Sequence, residues 1–156
     1  MDRNKALNRA AALCSRSEQC ENDVRAKLSS WLDEPEYADS IIDHLKREGF
    51  IDDHRYARAY IHDKFLYNGW GRIKLRSMLH HKGIDNETIL QAMEQIDEDE
   101  YRRTLIHLLE GKWQAVMGRN RQNARAALLR FAASRGFEAD LCYRCVDEVM
   151  DGNGED

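Results

Sequence analysis

The chain has 156 residues, of which 42% are hydrophobic and 33% charged, and it carries four cysteines and a single proline. A chain of this length buries roughly two-thirds of its unfolded surface, so the fold requires neither disulfides nor metals. The low proline content favours helices. The lack of a long apolar run or of an apolar leader excludes a membrane protein and predicts a cytoplasmic one.

Residues 1–48 predict a first repeat of three helices, because apolar side chains recur at helical spacing in three successive segments. Ser17, followed by Glu18 and Glu21, has the residue type that begins the second helix. Pro35 suits the first turn of the third helix, where a missing N–H costs nothing. The predicted inward residues are Leu7, Ala10, Ala11, Cys14, Val24, Leu28, Trp31, Ala38, Ile41, Ile42 and Leu45.

Residues 49–97 predict a second, central repeat of the same plan. Asp52 is placed to cap its first helix and Asp85 its third, while Gly83 closes the second helix in a left-handed conformation. The sequence Gly69-Trp70-Gly71 separates the first two helices. The predicted inward residues are Ala57, Tyr60, Ile61, Phe65, Ile73, Leu75, Met78, Leu79, Ile89, Ala92, Met93 and Ile96.

Residues 98–150 predict a third repeat, in which the loop 118–120 takes the place of 69–71 and Gly136 takes the place of Gly83. The last six residues, 151–156, are expected to form a flexible acidic tail. Three similar units predict an all-α fold, an elongated and curved array of three tandem three-helix repeats. Its third-repeat core residues are predicted to be Tyr101, Leu105, Leu108, Leu109, Leu128, Phe131 and Ala132.

The central repeat resembles the RecX family of regulators of the RecA recombinase. The matching residues are 49–57, 69–75, Leu79 and 82–84, and the resemblance extends more loosely over nearly the whole chain. It implies a monomer without enzymatic activity or cofactor that lodges in the groove of the RecA filament on single-stranded DNA. There it would inhibit filament extension, ATP hydrolysis, strand exchange and coprotease activity. A weak direct contact with DNA is left open.

Charge alternates along the chain more sharply than the formal net charge of −4 suggests. Residues 53–83 hold seven basic and two acidic side chains, whereas residues 84–101 hold no basic and seven acidic side chains. Residues 119–135 hold five basic and no acidic side chains, and residues 138–156 hold one basic and seven acidic side chains. Second helices are therefore basic and third helices acidic, which separates the charges onto different faces.

The basic second helices and the aromatic loop before one of them supply the candidate binding residues. Such clusters bind phosphates or an acidic protein surface, although the same pattern also fits a solvated face neutralised by the acidic helix that follows. The resemblance favours a binding surface. The candidates are Lys64, Trp70, Arg72, Lys74, Arg76, Lys82, Arg119, Arg121, Arg125 and Arg130.

No motif for catalysis or metal binding is recognised in the sequence. Aligning Gly136 with Gly83 places Cys142 and Cys145 on the inward positions of a third helix, so the pair is predicted to be core rather than redox-active or zinc-binding. Three-helix units with a basic helix also resemble helix-turn-helix domains. Two alternative functions therefore stay open, a nucleic-acid-binding protein acting without RecA and a helical scaffold for another partner.

Overall fold

The predicted all-α architecture is confirmed by the computed structural model, which describes residues 1–154. Within these residues there are nine α-helices, one 3₁₀ helix and no strand. The helices are α1 Arg3–Arg16, α2 Glu21–Trp31, a 3₁₀ helix Pro35–Tyr37, α3 Ala38–Arg47, α4 Asp53–Asn68, α5 Arg72–His81, α6 Asn86–Met93, α7 Glu98–Val116, α8 Arg121–Ser134 and α9 Ala139–Gly154. None of them combines the length and the apolarity needed to cross a membrane.

Two helices begin where the sequence predicts, each after an aspartate whose carboxylate accepts a backbone N–H of the first turn. The Asp52 carboxylate accepts from the Arg55 amide at 3.1 Å, and the Asp85 carboxylate from the Thr88 amide at 2.8 Å. Both caps are as predicted, and each satisfies a first-turn N–H that has no partner within its helix.

The two boundaries predicted in the first repeat are wrong. Ser17 ends α1 rather than beginning α2, whose N-cap is Cys20. Pro35 begins the 3₁₀ helix rather than α3. The turn before α3 has no glycine like those that close α5 and α8, and it forms a separate 3₁₀ turn instead.

Backbone contacts divide the chain into two compact units. The first consists of Met1–Tyr60 with Met78–Ala92, and the second of Ile61–Ser77 with the residues from Met93 onward. The division falls within α4 and α5 rather than in loops. The repeat boundaries 1–48, 49–97 and 98–150 stay a prediction. Of the predicted tail, residues 151–154 belong to α9, and residues 155–156 lie outside the part of the chain that the structure describes.

The core of the first unit contains the apolar stripes of α1, α2 and α3. Its buried members are Ala6, Ala10, Val24, Leu28, Leu32, Ile41, Ile42, Leu45 and Ile51. In the second unit Tyr101, Leu105 and Leu109 of α7 are fully buried, together with Leu128 of α8. Most predicted inward positions are thus buried or half-buried, as their helical spacing requires.

The assignment of Ile73 to the core is wrong, because its side chain is 49% exposed. Leu75 and Leu79 face inward from the same helix and are fully buried. With 3.6 residues per turn, a residue two positions before Leu75 points to nearly the opposite side of the helix. Ile73 therefore belongs to the outer surface of α5.

Cys142 and Cys145 lie in the core at the positions that the repeat alignment predicts, with 3% and 0% of their surface exposed. Burial raises the pKa of Cys142 to about 11. Its thiol donates to the carbonyl oxygen of Phe137 at 3.4 Å. Both cysteines act here as small apolar residues.

Candidate functional site

The N-terminus of α5 is held directly against the turn between α8 and α9. The Gly71 amide donates to the carbonyl of Arg135 at 2.8 Å, and the Ile73 amide donates to the carbonyl of Gly136 at 2.9 Å. A Cβ at Gly71 would lie 2.4 Å from the Gly136 oxygen, and one at Gly136 would lie 2.4 Å from the Cβ of Lys74. The contact is therefore possible only between two glycines, and it fixes the direction of the basic helix α5.

Arg72, the first residue of α5, is engaged within the fold on every side. Its amide donates to the Tyr101 hydroxyl at 2.8 Å, and its guanidinium lies 3.9 Å from the centre of the Tyr101 ring. The guanidinium also donates to the carboxylate of Glu138 at 3.0 Å and pairs with Glu98. Only 17% of the Arg72 side chain is exposed. Arg72 therefore holds α5 to α7 and to the residue that precedes α9, and little of its side chain is available to a partner.

The carboxylate of Glu138 completes this network. The Tyr101 hydroxyl donates to one of its oxygens and Arg72 to the other. Burial works against ionisation of Glu138, but the hydrogen bonds from Tyr101 and Arg72 outweigh it and hold its pKa below the ordinary value of 4.5. Burial, with the bond to Glu138, raises the pKa of Tyr101.

Three further candidates also have acidic partners within the fold. For the two arginines of α8 the partners come from α9, the acidic helix that follows, as in the solvated-face alternative of the sequence analysis. Lys82, the residue after α5, pairs instead with a residue of α2. Such pairs on partly exposed surfaces contribute little stability, but they occupy the cations. The pairs are Lys82 with Asp23 at 3.0 Å, Arg125 with Asp147 at 3.0 Å and Arg121 with Asp151 at 2.6 Å.

Two lysine ammonium groups lie close to the half-buried indole ring of Trp70. The Nζ atom of Lys74 lies 4.4 Å from the ring centroid and that of Lys64 lies 5.2 Å from it, both within the range of cation–π attraction. The Trp70 amide also donates to the carbonyl of Lys64 at 3.2 Å. The tryptophan is thus a packing anchor that holds two positive charges close together, beside the start of α5.

The remaining candidates, Arg76, Arg119 and Arg130, are exposed and form no ion pair within residues 1–154. We call them the open arginines. Arg76 lies on α5, Arg130 lies on α8, and Arg119 lies just before α8. An acidic partner can reach these guanidinium groups without breaking a contact of the fold, so they are the strongest binding candidates of the original set.

Two exposed residues near the open arginines escaped the sequence analysis. Ile73 was assigned to the core, and Tyr143 of α9, 51% exposed, was not considered. Both line a surface groove together with Arg130. Helix phase is the signal that finds them. Each is a large apolar residue at a position that faces away from the buried stripe of its own helix.

Comparison with known proteins finds relatives similar in sequence and in fold. Residues 52–93 match the family model described as RecX, second three-helix domain. A regulatory protein RecX from Clostridioides difficile is 25% identical over 146 residues, which are 94% of this chain and 68% of that protein. One from Neisseria meningitidis is 28% identical over 148 residues, 95% of this chain and 93% of that protein.

The solved structures show the fold in the same way. The crystal structure of RecX from Lactobacillus salivarius superposes with a TM-score of 0.83 at 21% sequence identity, and the match covers 94% of this chain and 96% of that one. A second crystal structure, of a regulatory protein RecX, gives a TM-score of 0.85 at 21% identity and covers 94% of this chain and 71% of that one.

Proposed function

The chain belongs to the RecX family of regulatory proteins, and we propose that it acts by binding, in the cytoplasm, to the RecA filament on single-stranded DNA. In this proposal it inhibits filament extension, ATP hydrolysis, strand exchange and coprotease activity without catalysing a reaction of its own. The observation that carries the proposal is the alignment of proteins named regulatory protein RecX along most of the chain. The match to the second three-helix domain supports it at the residues around Trp70 and α5.

The candidate residues divide between two tasks in this proposal. Arg72 stabilises the position of α5, and the paired cations Lys82, Arg121 and Arg125 stabilise neighbouring helices. The open arginines, with the lysines around Trp70, contact the partner. A cation that is already paired must give up that contact before it binds another anion, so the unpaired ones gain more from an acidic surface.

The alternative candidate is a protein that binds nucleic acid without RecA. The pair of lysines held at Trp70 favours it, because clustered cations beside an aromatic ring are common where single strands bind. The ring is half-buried and faces two ammonium groups, which leaves less of it for stacking on a base. We therefore place the protein partner first.

Reversing the charge of two open arginines tests the proposal. The double variant Arg76→Glu with Arg130→Glu should weaken binding to RecA filaments by about tenfold or more, because two unpaired guanidinium groups are replaced by carboxylates. Filament binding is measured by the anisotropy of a fluorophore attached to the regulator, and helicity by far-UV circular dichroism.

The matched control is Arg16→Glu with Lys27→Glu, which makes the same change of net charge at exposed positions of α1 and α2. It should bind within about threefold of the unmodified protein, since exposed charges outside the contact surface are largely screened at physiological salt. Equal weakening by both pairs would show that the effect comes from overall charge. Unchanged binding by the first pair would show that the open arginines form a solvated face and do not contact the partner.

A further inference from the structure

A groove on the second compact unit lies against α5, α8 and the start of α9 and has a volume of about 370 Å³. Its lining side chains are apolar except for one guanidinium and the hydroxyl of one tyrosine. The lining residues are Ile73, Leu129, Arg130, Ala133, Phe137, Ala139, Cys142 and Tyr143. A concave apolar surface of this kind has the shape and chemistry that accept a side chain or a short segment of another molecule.

Two large side chains stand exposed at this groove without a role in the core. Ile73 is 49% exposed and Tyr143 is 51% exposed, whereas Phe137 at the groove floor is 2% exposed. Covering Ile73 and Tyr143 would remove apolar surface from water at about 25 cal/mol per Å². Tyrosine beside an aliphatic residue is also a composition enriched where proteins bind each other.

The charges around the groove define what would cover it. Arg130 lines it, and Arg76 lies three positions after Ile73 and so on the same side of α5. Neither arginine forms an ion pair within residues 1–154. Arg125, held by Asp147, lies 5.7 Å from the centre of the Tyr143 ring. The groove thus combines a mostly apolar lining with one guanidinium group in that lining and a second on the adjoining face of α5, which complements an acidic and apolar ligand rather than a bare phosphate chain.

We propose that this groove binds an acidic amphipathic segment of the filament protein, with a large apolar side chain seated between Ile73 and Tyr143 and carboxylates on Arg76 and Arg130. The inference rests on the proposed function, because it identifies where that same partner docks. A helix or turn with an apolar residue flanked by acidic residues presents the required pattern.

A second copy of the chain offers a weaker ligand. Leu90 on α6 is 58% exposed and is flanked by Glu87 and Glu94, so it is itself a short acidic segment with an apolar residue. However, α6 has only eight residues and turns Ile89, Ala92 and Met93 into the core. A single exposed leucine covers far less than the roughly 800 Å² per partner of a stable interface.

Photo-cross-linking identifies the ligand directly. With p-benzoylphenylalanine in place of Tyr143, irradiation in the presence of RecA filaments on single-stranded DNA should attach the probe to one acidic RecA segment that contains a large apolar residue, located by mass spectrometry. Adding Ile73→Asp should lower the yield by about tenfold, because it places a carboxylate beside the bound acidic segment. Adding the matched change Leu90→Asp should leave the yield unchanged.

Cross-links to DNA, to a second copy of the chain or to a basic RecA segment would overturn the inference, and so would the absence of cross-links while the protein inhibits RecA. Loss of self-cross-linking in Leu90→Asp would identify α6 of a second copy as the ligand instead. The failure of the proposed function is recognised separately, because the unmodified protein would then leave the RecA ATPase rate unchanged.

Discussion

Replacing Gly136 by alanine is expected to lower the free energy of unfolding by about 3–5 kcal/mol. Gly136 has a φ of +93°, which an alanine adopts only with strain. The added Cβ would also lie 2.4 Å from the Lys74 Cβ and 2.6 Å from the Lys74 amide nitrogen. Relief would require α5 to move away from the turn before α9. Urea unfolding followed by circular dichroism measures the loss.

Two other glycines separate the contributions to this effect. Gly49 has a φ of +78° and no atom within 4 Å of its would-be Cβ, so Gly49→Ala should show the backbone strain alone, about 1–2 kcal/mol. Gly111 lies within α7 and also has open space around it, so Gly111→Ala should stabilise the protein by roughly 0.5–1 kcal/mol. Equal losses in Gly136→Ala and Gly49→Ala would show that the close approach of α5 contributes nothing.

The second large effect is expected from Glu138→Ala, which should cost about 2–3 kcal/mol of folding free energy. It leaves the Tyr101 hydroxyl without its acceptor and Arg72 with one anion fewer. The loss should be smaller than for a fully buried pair because 40% of the Glu138 side chain is exposed. Glu98→Ala is the matched control: Glu98 also pairs with Arg72 but is 80% exposed, so its loss should cost at most about 0.5 kcal/mol.

The same network gives a sign for the dependence of stability on pH. The folded-state pKa of Glu138 is lower than its ordinary value of 4.5, so the folded protein binds its proton more weakly than the unfolded chain does. The stability that Glu138 contributes is therefore present above pH 4.5 and is lost as the pH falls through the folded-state pKa. Glu138→Gln should remove this part of the acid sensitivity. An unchanged acid slope in that variant would contradict the assigned hydrogen bonds.

The helices, and those of their ends that are set by a capping side chain or a glycine, could be predicted because the causes are local. Asp52 and Asp85 cap helices that begin one residue later at Asp53 and Asn86, and Gly83 and Gly136 adopt the positive φ that closes a helix. Ile73 was misassigned because its apolar side chain outweighed its helix phase, although its position two residues before Leu75 already turns it away from the stripe of Leu75 and Leu79. The turn at Pro35 was misassigned for a different reason: residues 31–35 contain no glycine, which indicates that the turn differs from those at Gly83 and Gly136 but does not specify its conformation.

The role of Arg72 could not be predicted because its partners are distant in sequence. Glu138, just before α9, lies 66 residues away, and Tyr101 of α7 lies 29 residues away. Charge runs correctly indicated that basic and acidic helices alternate, yet they could not say which cations pair. Only three-dimensional contacts separate Arg72, which is engaged by the fold, from Arg76 four positions later, which is open.

The rate of ATP hydrolysis by RecA on single-stranded DNA, measured with and without spare DNA, tests the central claim most directly. The account predicts that the purified protein slows hydrolysis at substoichiometric or near-equal ratios to RecA, and that the inhibition persists when uncoated single-stranded DNA is added in excess. A protein that only competes for DNA would instead be titrated away, and its affinity would fall steeply with salt. Inhibition that vanishes with spare DNA, at a level explained by affinity for free DNA, would contradict the account.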